Sequence, residues 1–184
     1  MMRIITGKYK GRQILSSKDH SIRPTTNKIK EYIFELLGGF VTDAFVLDLF
    51  SGSGSLGIEA MSRGAKEVTF VDNSKRSLDV LRKNLNAIAV EEPYRIIRKD
   101  AMLFLKRNSV SYDLIFADPP FKWNLFNDML VLAFKPENIS EKGIFVIESE
   151  KSHAIEWNDK NFKVLRQKTF DRSVITFLSR DNTI

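Results

Sequence analysis

The chain has 184 residues, 43% hydrophobic and 28% charged, the balance of a soluble globular domain large enough to bury a core. It has no cysteine and only His20 and His153, which excludes disulfides and thiolate zinc sites and leaves no metal centre to expect. Its net charge of +6 is uneven: residues 1–38 hold eight Lys or Arg against Asp19, Glu31 and Glu35, a net of +5, and the rest is nearly neutral.

Such a basic arm is either a solvated surface or the contact for a polyanionic partner. Arg3, Lys8, Lys10 and Arg12 interrupt the opening residues, so there is no apolar signal-peptide core, and no apolar run is long enough to span a bilayer. A soluble cytoplasmic protein, and a monomer, is the expectation.

The arm opens with a hairpin, Arg3 to Thr6 and Arg12 to Leu15 around a turn at Gly7 to Gly11. After a polar stretch, Pro24 and Thr25 or Thr26 open a helix with Ile29, Ile33, Phe34 and Leu37 at helical spacing, stopped by Gly38 and Gly39. Strand and helix then alternate: strand Phe45 to Phe50, helix Leu56 to Arg63, strand Val68 to Val71, helix Ser74 to Ala89 and strand Tyr94 to Ile97. Helix Ala101 to Arg107, strand Leu114 to Ala117, helix Leu125 to Phe134 and strand Ile144 to Glu148 follow. This order predicts an α/β fold, a doubly wound and mostly parallel sheet. The last two strand candidates, Phe162 to Thr169 and Val174 to Leu178, are too close for a crossover and must form an antiparallel hairpin. The domain division expected is 1–38 for the hairpin-and-helix extension and 39–184 for the core.

Gly52-Ser53-Gly54-Ser55-Leu56-Gly57 follows the first core strand and fits G-x-G-x-x-G. Glycines there permit a tight turn and close approach of a ligand to a helix N-terminus, which suits a nicotinamide, a flavin or S-adenosylmethionine. Asp48, just before the loop, separates them. A dinucleotide would set its pyrophosphate against this carboxylate, whereas S-adenosylmethionine brings a sulfonium and an ammonium cation. Asp72, at the end of the second core strand, can accept from ribose hydroxyls. Asp100, after the third, can accept from an adenine amine or cap the helix that begins at Ala101.

Asp118-Pro119-Pro120-Phe121 follows the fourth core strand, at the sheet edge where such folds carry their sites. An exocyclic base amine is a poor nucleophile because its lone pair is delocalised into the ring. Acceptors that orient both N–H groups localise that pair. Asp118 offers a side-chain acceptor and Pro119 a backbone carbonyl held rigid by Pro120. Phe121 offers a face on which an unpaired base can stack.

Together the run Leu47 to Arg63, the stretch Arg23-Pro24-Thr25-Thr26 and the tetrad resemble the RsmD family, the bacterial 16S ribosomal RNA guanine-N2 methyltransferases. The opening Met2-Arg3-Ile4-Ile5 with Gly7, Lys10, Gly11 and Arg12 is similar too, and suggests Met2 as the first residue. The resemblance implies a Rossmann-like class I methyltransferase fold and S-adenosylmethionine as cofactor. It places the cofactor on Asp48, Phe50, Gly52, Gly54, Asp72, Asn73, Asp100 and Ala101, and catalysis on Asp118, Pro119, Pro120 and Phe121. It implies 16S rRNA or the small ribosomal subunit as partner, met by Arg3, Lys8, Lys10, Arg12 and Arg23. Asn27 stands where the family usually has an acid; it can cap or hydrogen-bond but carries no charge.

A DNA adenine-N6 methyltransferase shares the loop and a similar tetrad. It would need a region that reads duplex sequence, and only about 38 N-terminal residues lie outside the core. A dehydrogenase is disfavoured by Asp48, and an inactive RNA-binding module by the intact tetrad.

Overall fold

The computed structural model describes residues 2–16, 27–120, 123–152, 155 and 161–180. Two short strands open it, β1 (Met2–Arg3) and β2 (Gln13–Ile14), paired antiparallel. Helix α1 (Asn27–Leu37) follows and ends in a 3-10 turn, Gly38–Val41. Then come β3 (Phe45–Leu49), α2 (Ser55–Ser62), β4 (Glu67–Asp72), α3 (Lys75–Ile88), β5 (Tyr94–Arg98) and α4 (Ala101–Arg107). The chain closes through β6 (Tyr112–Ala117), α5 (Phe126–Ala133), β7 (Ile139–Glu150), β8 (Lys163–Phe170) and β9 (Ser173–Ser179).

The seven-stranded sheet has the order β5-β4-β3-β6-β7-β9-β8. Strands β3 to β7 are parallel, while β9 runs antiparallel to both β7 and β8. This is the doubly wound sheet with a closing hairpin that the alternation predicts. Successive side chains of each strand point to opposite faces, so each feeds two cores. Val46, Phe70, Leu114, Phe116 and Val146 face α1, α2 and α3. Leu47, Leu49, Ile115, Phe145 and Ile147 face α4 and α5.

The expected bounds hold for most elements, with two exceptions. The hairpin strands are shorter: β1 begins one residue earlier than expected and ends at Arg3, β2 loses one residue at each end, and beyond them Ile4 donates its N–H to the Arg12 carbonyl at 2.9 Å. Strand β7 begins at Ile139, before the apolar run, and its pairing with β6 shifts register between Tyr112 and Leu114. Met2, Ile4, Tyr9 and Ile14 of the arm share one buried cluster with Val46 and Phe116. Among the described residues, no helix is long and apolar enough to cross a membrane.

Candidate active site

The strand order reverses between β3 and β6, which leaves a crevice beyond their C-terminal ends. Leu49 and Ala117 are partners in register, so the glycine loop and the tetrad leave the sheet side by side. The loop turns through left-handed backbone at Phe50 (φ 56°), Gly52 (φ 54°) and Gly54 (φ 83°). At Gly54 a side chain would also strike Leu81, whose Cδ1 lies 2.3 Å from where a Cβ would be. At Gly52 a Cβ would meet nothing nearer than the Phe50 carbonyl at 3.9 Å, so the space before that turn is open.

Two carboxylates hold this cradle. Asp72 accepts from the Gly52 N–H at 2.8 Å through one oxygen and from the Ser74 N–H at 2.7 Å through the other. Each oxygen keeps a lone pair, so an acceptor for ribose remains while the backbone is pinned. Asp48 is buried beneath the loop and accepts from the Gly57 N–H at 2.9 Å. Burial pushes its carboxyl up to about 8; the Gly57 bond works against the shift and the Asp72 charge adds to it. Asp48 therefore fastens β3 to α2, and burial favours its protonated form. Among the described residues the hydroxyls of Ser51 and Ser55, on either side of the turn, are buried without a partner. Buried hydroxyls are rarely left so, and a polar ligand on the loop would satisfy them.

Asp100 caps α4, accepting from the Leu103 N–H at 3.0 Å, with buried Ala101 as the first helical residue. Asn73 is exposed, and its carbonyl accepts from Arg98 Nε at 3.2 Å. Both stand at the same sheet edge as the cradle.

Asp118 and Pro119 are half-buried and Pro120 is exposed; Phe121 lies outside the described residues. The Pro120 carbonyl accepts from the Trp123 N–H at 3.0 Å. Trp123 then packs edge-to-face on Phe50, with ring centroids 5.3 Å apart, and on Phe126 at 5.0 Å. This aromatic row locks the tetrad loop to the glycine loop. Sequence reasoning passed over Trp123, whose only local signal was an aromatic residue between the tetrad and an apolar helix.

The arm is tied down by Glu59. This fully buried carboxylate accepts from the Ile5 N–H at 2.8 Å and the Thr6 N–H at 3.0 Å, and pairs with Lys30 at 3.1 Å and Arg63 at 3.0 Å. Burial lowers the Lys30 pKa while Glu59 raises it, and Lys30 also donates to the Arg3 carbonyl at 2.7 Å. Lys30 is thus an internal cation, although the sequence counts it in the basic arm. Lys8 lies between Glu91 and Glu92, at 2.8 and 2.9 Å, and Tyr9 Oη donates to Glu92 at 2.6 Å. Those acids precede β5, so the hairpin tip sits at the edge of the sheet opposite Asp118. Arg3, Lys10 and Arg12 are exposed, and Arg23 lies outside the described residues.

The Conserved hypothetical protein 95 family matches residues 2–179. The ribosomal RNA small subunit methyltransferase D of Haemophilus influenzae is 34% identical over 91% of this chain and 88% of its own. YlbH of Bacillus subtilis is 33% identical over 92% of this chain and 94% of its own. The solved Escherichia coli protein yhhF superposes with a TM-score of 0.88 at 28% identity, covering 99% of both chains. With a reversal-point cradle, a tetrad beside it and relatives matched end to end, the chain belongs to the ribosomal RNA small subunit methyltransferase D family.

Proposed function

We propose that the protein transfers a methyl group from S-adenosylmethionine to the exocyclic N2 amine of a guanine in 16S ribosomal RNA. The observation that supports this is the register of β3 with β6, whose ends lie about 4.8 Å apart, so that the glycine loop and Asp118 leave the sheet from neighbouring strands. The names of the relatives, which call them rRNA methyltransferases, support the substrate class.

Gly52, Gly54, Asp72 and the orphaned Ser51 and Ser55 hydroxyls would hold the cofactor, with Asp100 and Ala101 toward the adenine. When bound, it supplies an electrophilic methyl on a sulfonium. Asp118 accepts one N–H of the target amine and the Pro119 carbonyl the other, and Phe121 stacks on the base. The Pro120 carbonyl, already engaged by Trp123, is not needed for this. Such acceptors turn the amine lone pair toward the methyl and leave Asp118 placed to take the proton shed after transfer. Arg3, Lys10, Arg12 and Arg23 contribute phosphate contacts.

Labelled S-adenosylmethionine with 16S rRNA, small subunits or duplex DNA tests this, with nucleoside mass spectrometry as the readout. N2-methylguanosine in the RNA is the expected product. N6-methyladenosine in the DNA, with unmodified RNA, would overturn it.

A further inference from the structure

Two of the arm's cations, Lys8 and Lys30, are neutralised by acids, and the hairpin tip points away from the catalytic edge. A second set of cations lies level with Asp118. Register carries a row across the sheet from Asp118, one residue beyond Ala117, through Glu148 and Ile175 to Lys168 on the edge strand β8. Three strand spacings put Lys168 roughly 14 Å from Asp118. Phe170, Asp171 and Arg172 continue from it at the rim, where the Lys151 N–H donates to the Arg172 carbonyl at 2.8 Å.

Here Lys151, Arg166, Lys168 and Arg172 are exposed, and among the described residues none of them forms an ion pair. Their acidic neighbours are Glu148, which accepts from the Ser173 hydroxyl at 2.6 Å, with Glu150 and Asp171, each of which has interactions of its own. Aromatic rings are interleaved: the Lys168 ammonium lies 4.5 Å from the Tyr32 ring of α1 and 5.3 Å from Phe170, and those two rings meet at 5.1 Å. The Tyr32 hydroxyl beside them is buried and has no partner among the described residues. Lysines alone on an edge strand are commonly a guard against sheet-to-sheet pairing. That accounts for Lys163, at the far end of β8, but not for cations and rings gathered at the rim nearest the site.

We infer that the rim formed by the β8–β9 turn, Lys151 and the first turns of α1 is a docking surface for single-stranded RNA flanking the target base. This rests on the function proposed above. Exposed cations are what the phosphates of a single strand need, and Lys168, lying over the Tyr32 and Phe170 rings, is held at the rim by them. The rim lies across the site from the cofactor, so a base entering at Asp118 would leave its neighbours there.

The test is Lys168→Gln with Arg172→Gln in the full chain, using labelled small-subunit rRNA and a salt titration. RNA affinity should fall roughly tenfold, and the salt dependence should flatten by about 0.7 per lost contact. Cofactor affinity should stay as in wild type with the protein still folded, Lys168→Arg should bind normally, and ultraviolet crosslinking of wild type should mark the peptide spanning 163–173. Unchanged RNA affinity and salt slope would overturn the inference, as would a variant that self-associates yet binds RNA normally, the behaviour of an edge guard. Wild-type protein that binds RNA through this rim but transfers no methyl would sink the proposed function and leave the surface standing.

Discussion

Asp48 carries an expectation that ordinary carboxylates do not. Its folded value of about 8 lies above the ordinary 3.8, so between those values the unfolded chain has released a proton that the folded one keeps. Asp48's contribution to the stability of the cofactor-free protein is therefore fully present below the lower value, falls as pH rises between the two, and levels off above about 8. Asp48→Asn, whose amide oxygen can still accept from Gly57, should remove this contribution and make thermal melts from pH 5 to 9 less pH-dependent than wild type; an unchanged slope would assign it to another group. Asp118 makes a different demand. Asp118→Ala should retain cofactor binding by calorimetry, because the cradle is built by Asp72, Asp48 and the glycines. It should lose roughly 10²–10⁴ in the rate of methyl transfer, and Asp118→Asn less, since the amide oxygen still accepts one N–H. Full activity in Asp118→Ala would remove the mechanism.

At the scale of elements, Glu59 decides whether the arm stays docked. Glu59→Gln leaves Lys30 buried beside a neutral amide, a change of the kind that costs about 3–5 kcal/mol. Lys30→Met should cost less, because Glu59 keeps Arg63 and two backbone donors. Urea unfolding of both variants checks the order, and equal losses would mean that Lys30, not the carboxylate, is the hub. None of this was legible beforehand. Helix α4 was read to the residue because Asp100 before an apolar run is a local signal, and the glycine loop was legible for the same reason. Lys30 and Glu59 are 29 positions apart, and nothing near either announces the other. The Phe50–Trp123 contact hid in the same way. Asp72 was read as a ligand acceptor, while its part in pinning Gly52 and Ser74 needed the loop's three-dimensional path.

For the whole molecule, sequence patterning supplied the number and kind of strands but not which neighbours they choose. That the final hairpin is antiparallel followed from the short connection; that its second strand enters first, against β7, did not. This placement has a consequence for how the chain is made. When β8 leaves the ribosome it has no neighbour to pair with, since its one partner, β9, is synthesised after it. Until Ser173–Ser179 emerges, β7 presents an open edge of Phe145, Val146 and Ile147. The sheet is thus completed by a wedge laid down late, and a nascent chain halted between β8 and β9 would be the form most in need of a chaperone.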